Sequence, residues 1–357
     1  MKYNKKIIIC SLFIIISITI LIVIISKSTK TFIYNGSTIA LTVDGNSATS
    51  FPTSGKYNVT VNCNNAKGRW NPKTWKLEIT KITGTVTCDV SFNSSVTNLT
   101  TQVNNNATRN ENGKRYEGKN PNNYIWFNDE LWRIIGNIPV CLTSGCSTTE
   151  NRVKIIRNDS IGAIKYGSNS TWMGSNIQNL LNLCYLEKKS SCDSYCYSNS
   201  TTAKGTCDYS ADGIVVTDYY GKMVEDVYFN VGTGNSTFKT AANYYTQEIA
   251  THATSTSKIG LMYASDWGYA IKDFSGVLGS SGKPQNSSDK NWLFSNGYEW
   301  TMSAYTSSTP LRIVNSGCLY NDSASAGYAA RPVLYLKSNV YVVSGTGTKV
   351  DPYRIGM

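Results

Sequence analysis

Ten cysteines and one histidine are the residues of this 357-residue chain whose side chains do chemistry most readily. Cys184, Cys192, Cys196 and Cys207 lie near enough in sequence to raise zinc, but structural zinc sites draw on paired Cys-x2-Cys knuckles or on histidines. The spacings here match no such pair, and no histidine lies among them. Disulfides fit them better. Cys63 and Cys88 fall on the apolar phase of two strands and pair across a small core, closing a loop worth about 3 kcal/mol. Cys141 and Cys146 flank a short loop and pair locally, while the connectivity of the other four stays open. Cys10 lies inside an apolar run and cannot join them, so nine of the ten remain (10 − 1), and Cys318 is either a partner of one of these or the odd thiol. His252 stands between Thr251 and Ala253 with no Ser or Cys elbow around it, so no nucleophile–base pair is legible. Asp208 with Asp212-Gly213 is a weak calcium candidate, Asp-Gly being as readily a plain turn. No phosphate-binding or dinucleotide fingerprint appears, so no cofactor is implied and the chain reads as a non-enzyme.

Aromatic residues are the remaining chemistry. Ser303 to Tyr328 is crowded with Ser, Tyr, Asn, Asp, Ala and Gly. Tyr305, Tyr320 and Tyr328, set among small polar residues, are expected at the surface, and with Arg312, Asn321 and Asp322 they form the candidate ligand-binding set. Trp267, Trp292 and Trp300 are expected to fill a core instead.

The elements that position these residues are read from periodicity. Alternation through Ile39–Val43, Tyr57–Cys63, Trp75–Thr80 and Val86–Phe92 predicts half-buried strands of a small antiparallel β-sandwich-like spacer over 31–93. The Asn- and Thr-rich stretch 94–113 reads as a linker with at most a weak helical turn. From 114 to 357 a second domain opens on a hairpin, Tyr124–Phe127 and Glu130–Gly136 about Asn128-Asp129. Strands follow at Arg152–Arg157, Lys258–Tyr263, Tyr298–Ser303, Leu311–Val314 and Ala330–Leu336. One helix is capped by Ser175, with Ile177, Leu180, Leu181, Cys184 and Tyr185 on a single face. The class is α+β, mostly β.

Ahead of these, Ile7 to Ile25 is apolar apart from Ser11, Ser17 and Thr19, carries no charge, and follows Lys2, Lys5 and Lys6. That length spans a bilayer, and the lysines place the N-terminus inside. Residues 1–30 therefore read as a cytoplasmic tail and an uncleaved, single-pass signal anchor that puts the rest at the cell surface. The excess of 34 basic over 23 acidic residues is scattered rather than clustered, which excludes a nucleic-acid surface.

Asn120–Tyr124, Glu130–Gly136, Ile259–Tyr269 and Arg331–Leu336 resemble a family of uncharacterised bacterial surface proteins with an N-terminal anchor. Their C-terminal domain is related to the C-type-lectin-like and sulfatase-modifying-factor folds, and the resemblance covers about 114–355. It implies short strands holding display loops, with diversification, where relatives have it, falling in 303–328. The oxidase branch of that fold uses a close cysteine pair, whereas Cys318 stands alone. Sugar-binding lectins use a carboxylate beside a Pro-Asn or Pro-Asp pair, and Lys283-Pro284-Gln285-Asn286 lacks it. The sequence thus points to an adhesin-like protein for a glycan or protein ligand. The alternatives are an ecto-enzyme of the sulfatase-modifying-factor or hydrolase type, which calls for a polar pocket holding Cys318 or His252 beside a carboxylate, and a structural envelope protein.

Overall fold

The computed structural model describes residues 38–197, 207–232, 234–279, 290–313 and 317–357, in one compact unit ending at Val96 and another running from Thr97 to Ile355. The chain is mostly β, as its periodicity implies. The membrane part of the expected fold is corrected: among the described residues no helix is long and apolar enough to cross a membrane. The longest of them, Ala241–Ala250, has ten residues, about half of what a bilayer core needs. The Ile7–Ile25 run and Lys283–Asn286 lie outside the described residues.

In the first unit the alternating stretches become β1 (Thr38–Val43), β2 (Asn46–Ser47), β3 (Asn58–Cys63), β4 (Lys67–Asn71), β5 (Lys76–Thr80) and β6 (Thr87–Asn93). The sheet has the order β2-β1-β6-β3, with β4 and β5 forming a separate hairpin. It is mixed, not antiparallel as expected, because β1 runs parallel to β6, with Ile39 beside Cys88 and Leu41 beside Val90. Alternation fixes which face is buried but says nothing of strand direction, and the long connection between β1 and β6 allows either. Cys63 and Cys88 are register partners on the neighbouring strands β3 and β6 and form a disulfide, which joins adjacent strands rather than crossing the core. Trp70 and Phe92 pack edge to face at 4.8 Å in the centre of the unit.

In the second unit the segment expected as a linker supplies β7 (Thr97–Asn98), α1 (Leu99–Asn106) and β8 (Arg109–Asn110). Leu99 and Val103, one turn apart, are fully buried, so α1 belongs to the core. Next come β9 (Lys114–Arg115), β10 (Tyr124–Phe127), β11 (Glu130–Cys141), β12 (Thr149–Arg157) and β13 (Ala163–Lys165). Asn128 and Asp129 both take positive φ, 55° and 62°, which makes the β10–β11 turn the tight kind that their side chains tolerate. Helix α2 (Asn176–Leu180) starts where Ser175 Oγ accepts the Gln178 N–H at 3.1 Å and runs on as a π turn to Tyr185. Ile177, Leu180, Leu181, Cys184 and Tyr185, the five expected on one face, are buried, while Leu183 is turned to the surface. Helices α3 (Ala241–Ala250) and α4 (Ala264–Tyr269) precede β14 (Glu299–Ala304), β15 (Pro310–Ile313), β16 (Leu319–Asn321), β17 (Gly327–Ala329), β18 (Val333–Leu336), β19 (Tyr341–Ser344) and β20 (Arg354–Gly356). Lys258–Tyr263, expected as a strand, is extended but makes only an isolated bridge through Gly260 to Val333.

The main sheet has the order β18-β12-β11-β9-β8, with β10 on β11, and a second sheet has the order β13-β17-β14-β15-β16. Strand β11 breaks register between Ile134 and Gly136. A Cβ on Gly136 would stand 2.3 Å from the Lys114 carbonyl oxygen, so glycine lets β9 close on β11 there. Disulfides join Cys141 to Cys146, Cys184 to Cys192 and Cys196 to Cys207. Cys318 is buried and unpaired.

Replacing Cys63 and Cys88 together by Ala releases the loop they close, and the first unit is expected to lose about 3 kcal/mol. Hydrogen exchange of β3 and β6 in the full chain measures it, with exchange in β12 unchanged.

Candidate functional site

The second sheet gathers four of the six residues of the candidate binding set. Arg312 on β15 pairs across to Tyr320 on β16 and to Trp300 on β14, so alternation sends their side chains to one face. The Arg312 guanidinium lies over three tyrosine rings, 4.7 Å from Tyr298, 5.3 Å from Tyr320 and 4.7 Å from Tyr328. Its Nε donates to Asp322 Oδ2 at 2.7 Å, and the Tyr328 hydroxyl donates to the same oxygen at 2.6 Å. Burial disfavours an ionised Asp322, but hydrogen bonds from Tyr328, the Ser323 amide and Arg312 outweigh it and hold its carboxyl below the usual range. Burial and the bond to Asp322 in turn raise the Tyr328 hydroxyl. Arg312 is 8 % exposed, whereas Tyr298 and Tyr320 are each 44 % exposed. The cation is therefore sandwiched, and the outer faces of two tyrosines remain open. With Arg312 matched by Asp322, this cluster is neutral and offers flat apolar area and hydroxyls rather than charge.

The other two candidates stand apart. Tyr305 follows β14 at the turn end of the β14–β15 hairpin, donates to the Ser236 carbonyl at 2.7 Å and lies 5.0 Å from Phe238. Asn321 pairs with Leu311, and alternation puts it on the opposite face from Tyr320 and Asp322. Trp267, Trp292 and Trp300 are buried, as core residues should be. Trp300 Nε1–H donates to the Ile164 carbonyl at 2.8 Å.

A second constellation has no counterpart in the sequence reading. Between the main sheet and helices α3 and α4 lies a cavity of about 230 Å³, whose lining includes Arg115, Lys154, Glu248, His252, Asp266 and Tyr335. Arg115, Lys154, Glu248 and Asp266 are all 3 % exposed or less. Asp266 accepts from Lys154 Nζ at 2.5 Å and Arg115 Nη1 at 2.8 Å, and from the Tyr263 N–H at 2.9 Å. Those partners overcome the penalty of burial and keep Asp266 ionised. Burial lowers the Lys154 amine, with Asp266 pulling the other way. Glu248 accepts from the Ser303 hydroxyl and from the Ser265 N–H. Burial pushes its carboxyl up to about 7 even so. His252 is exposed at the rim.

Comparison with family models, with curated proteins and with solved structures finds no match.

Lys154 was hidden in the apolar run Val153–Ile156 and Asp266 beside Trp267. The only signal that could have found them is a lone charge at a position where the pattern demands burial. Helix α4 begins at Ala264 with Tyr263 as its N-cap, because the Asp266 carboxylate takes the Tyr263 amide. Asp208, offered for calcium, spends Oδ1 on the Ser210 amide and hydroxyl. Among the described residues no group of three or more His, Cys, Asp and Glu is gathered for a metal.

A carboxyl held below its unfolded value contributes stability above that value and loses it on acidification. Asp322→Asn is accordingly expected to destabilise the second unit at pH 7, and the difference from wild type is expected to shrink as pH falls below the ordinary 3.8. Urea titrations of both proteins at pH 7 and pH 3 measure it.

Proposed function

We propose that the chain is an adhesin-like binding and display protein of an oxidising, extracytoplasmic compartment, with a lectin-like second unit. The observation that supports this most is the Tyr298–Arg312–Tyr320 stack, a rigid aromatic ledge with open faces and no net charge of its own. Flat rings with few rotatable bonds give contact area at low entropic cost, the usual chemistry of sugar and protein recognition. Neutrality of the ledge favours an uncharged glycan or the apolar rim of a protein over an anionic ligand. Four disulfides fit the compartment. Probing glycan and protein arrays with the full chain is expected to give binding. The double variant Tyr298→Ala/Tyr320→Ala, shown to be folded by circular dichroism, is expected to weaken it at least about tenfold. Silence across both arrays overturns the reading.

The cavity favours a second reading, an ecto-enzyme. A carboxyl titrating near 7 is suited to moving protons at neutral pH, and His252 shares the cavity with it. This reading predicts turnover within a chromogenic ester and amide panel that disappears in His252→Ala.

A further inference from the structure

The tyrosine ledge makes no use of the cavity between the main sheet and helices α3 and α4, nor of the carboxyl at its inner end. We propose that this cavity is a separate binding site for a small neutral alcohol or phenol, an apolar single ring whose hydroxyl docks on Glu248 and Ser265.

The charged groups at the inner end of the cavity satisfy one another. Lys154 and Arg115 are both spent on Asp266. The Tyr263 hydroxyl donates to the Asn230 carbonyl at 2.6 Å. The Asn230 side chain takes the Ala253 N–H and donates to Cys141 Sγ. Glu248 differs. One of its oxygens, Oε1, accepts from the Ser303 hydroxyl and the Ser265 N–H. The other, Oε2, has no hydrogen-bond partner among the described residues, although Glu248 is only 3 % exposed. Burial raises that carboxyl and the Ser265 hydroxyl beside it pulls it down, yet Ser265 Oγ is buried too and makes no well-formed hydrogen bond. Folded proteins seldom leave a buried acceptor and a buried hydroxyl unanswered side by side. Together they form a receptor for one O–H group, which donates to Oε2 and accepts from Ser265 Oγ.

Charge and size narrow the ligand further. With Glu248 ionised, Arg115 and Lys154 balance the two carboxylates. The Tyr263 ring already faces Lys154 at 4.2 Å, and the Tyr245 ring faces Arg115 at 5.8 Å. The aromatic walls that would hold a guest cation are therefore taken by the protein's own cations, which would repel it at low dielectric. An anion would meet Glu248 instead. A hydroxyl group brings no charge, and Ile138, Pro139, Val140 and Tyr228 offer its ring an apolar wall. The volume, about 230 Å³, exceeds the roughly 150 Å³ that takes benzene. It falls short of the roughly 300 Å³ at which pockets for drug-sized ligands begin, so a single substituted ring fits. Thr149 and Ile249 also line the cavity and are exposed, which gives a way in from solvent.

Isothermal titration calorimetry of the full chain tests this with three probes of one size. p-Cresol is expected to bind at one site per chain, and toluene and benzylamine each at least about tenfold more weakly. Thr149→Trp sets a large ring at the exposed mouth, and Glu248→Gln replaces the carboxylate by an amide. Each variant, shown to be folded by circular dichroism, is expected to weaken p-cresol at least about tenfold. Absence of p-cresol binding overturns the proposal, as does equal or tighter binding of either comparison probe. p-Cresol binding that survives either folded variant overturns it as well. The arrays that test the ledge present glycans and proteins rather than phenols, so either reading can fail alone.

Discussion

A carboxylate sealed inside a protein has to be answered by positive charge, and Asp266 is answered twice. Arg115 reaches it from β9, Lys154 from β12, and α4 supplies Asp266 itself. The three come from elements remote in sequence, so the charge requirement fixes how helix and sheet meet in the second unit. Apolar packing alone accepts many near-equivalent placements, but a buried ion accepts few. Loss of one member strands the others at about 3–5 kcal/mol, which makes the trio a constraint on the fold whatever it does chemically. The closure of β9 at Gly136 serves the same end, since without it Arg115 would stand away from the carboxylate. The motif recurs at Arg331, whose Nε meets Glu299 at 2.7 Å with both side chains buried, holding the approach to β18 against β14.

Arg312 shows how a similar pairing differs in meaning with its surroundings. Arg331 and Arg115 are enclosed by protein, so their partners exhaust what they can do. Arg312 is also matched by one carboxylate, but the rings covering it turn their outer faces outward. Packing explains why a guanidinium needs cover. It does not explain why that cover consists of tyrosines about half exposed at Tyr298 and Tyr320, where aliphatic side chains would shield as well and expose no hydroxyls. That distinction separates the ledge from scaffold and is why the binding reading rests on it.

The parts of the fold legible in the sequence were those encoded by local periodicity. Strands β3, β6, β11 and β18, the turn at Asn128-Asp129 and the buried face Ile177–Tyr185 follow from patterns a few residues long. Direction was not legible: β1 and β6 alternate alike whether they run parallel or not. Nor was membership, because Leu99 and Val103 are a weak apolar signal whose burial depends on a sheet formed much later in the chain. In the candidate set, Tyr320, Asp322 and Tyr328 were found together because small polar neighbours marked their stretch as display loop, whereas Arg312 lies buried between Leu311 and Ile313. Tyr298 was missed because it sits beside Glu299 and Trp300 in what reads as a buried strand. The cavity was missed because its four charges meet only through tertiary structure.

The disulfides divide labour with burial in a way that bears on where the chain can fold. In the second unit they close short stretches, with separations of 5, 8 and 11 residues, and the entropy each removes from the unfolded chain is correspondingly modest. The main sheet does not need them, since Ile134, Ile155 and Leu334 are completely buried and the ion pairs above set its geometry. What they hold is the turn after β11 and the connection behind α2. Reduction should therefore loosen connections before it opens the sheet. The first unit has no such reserve: its sheet is small, and its one staple lies within the ladder itself, between β3 and β6.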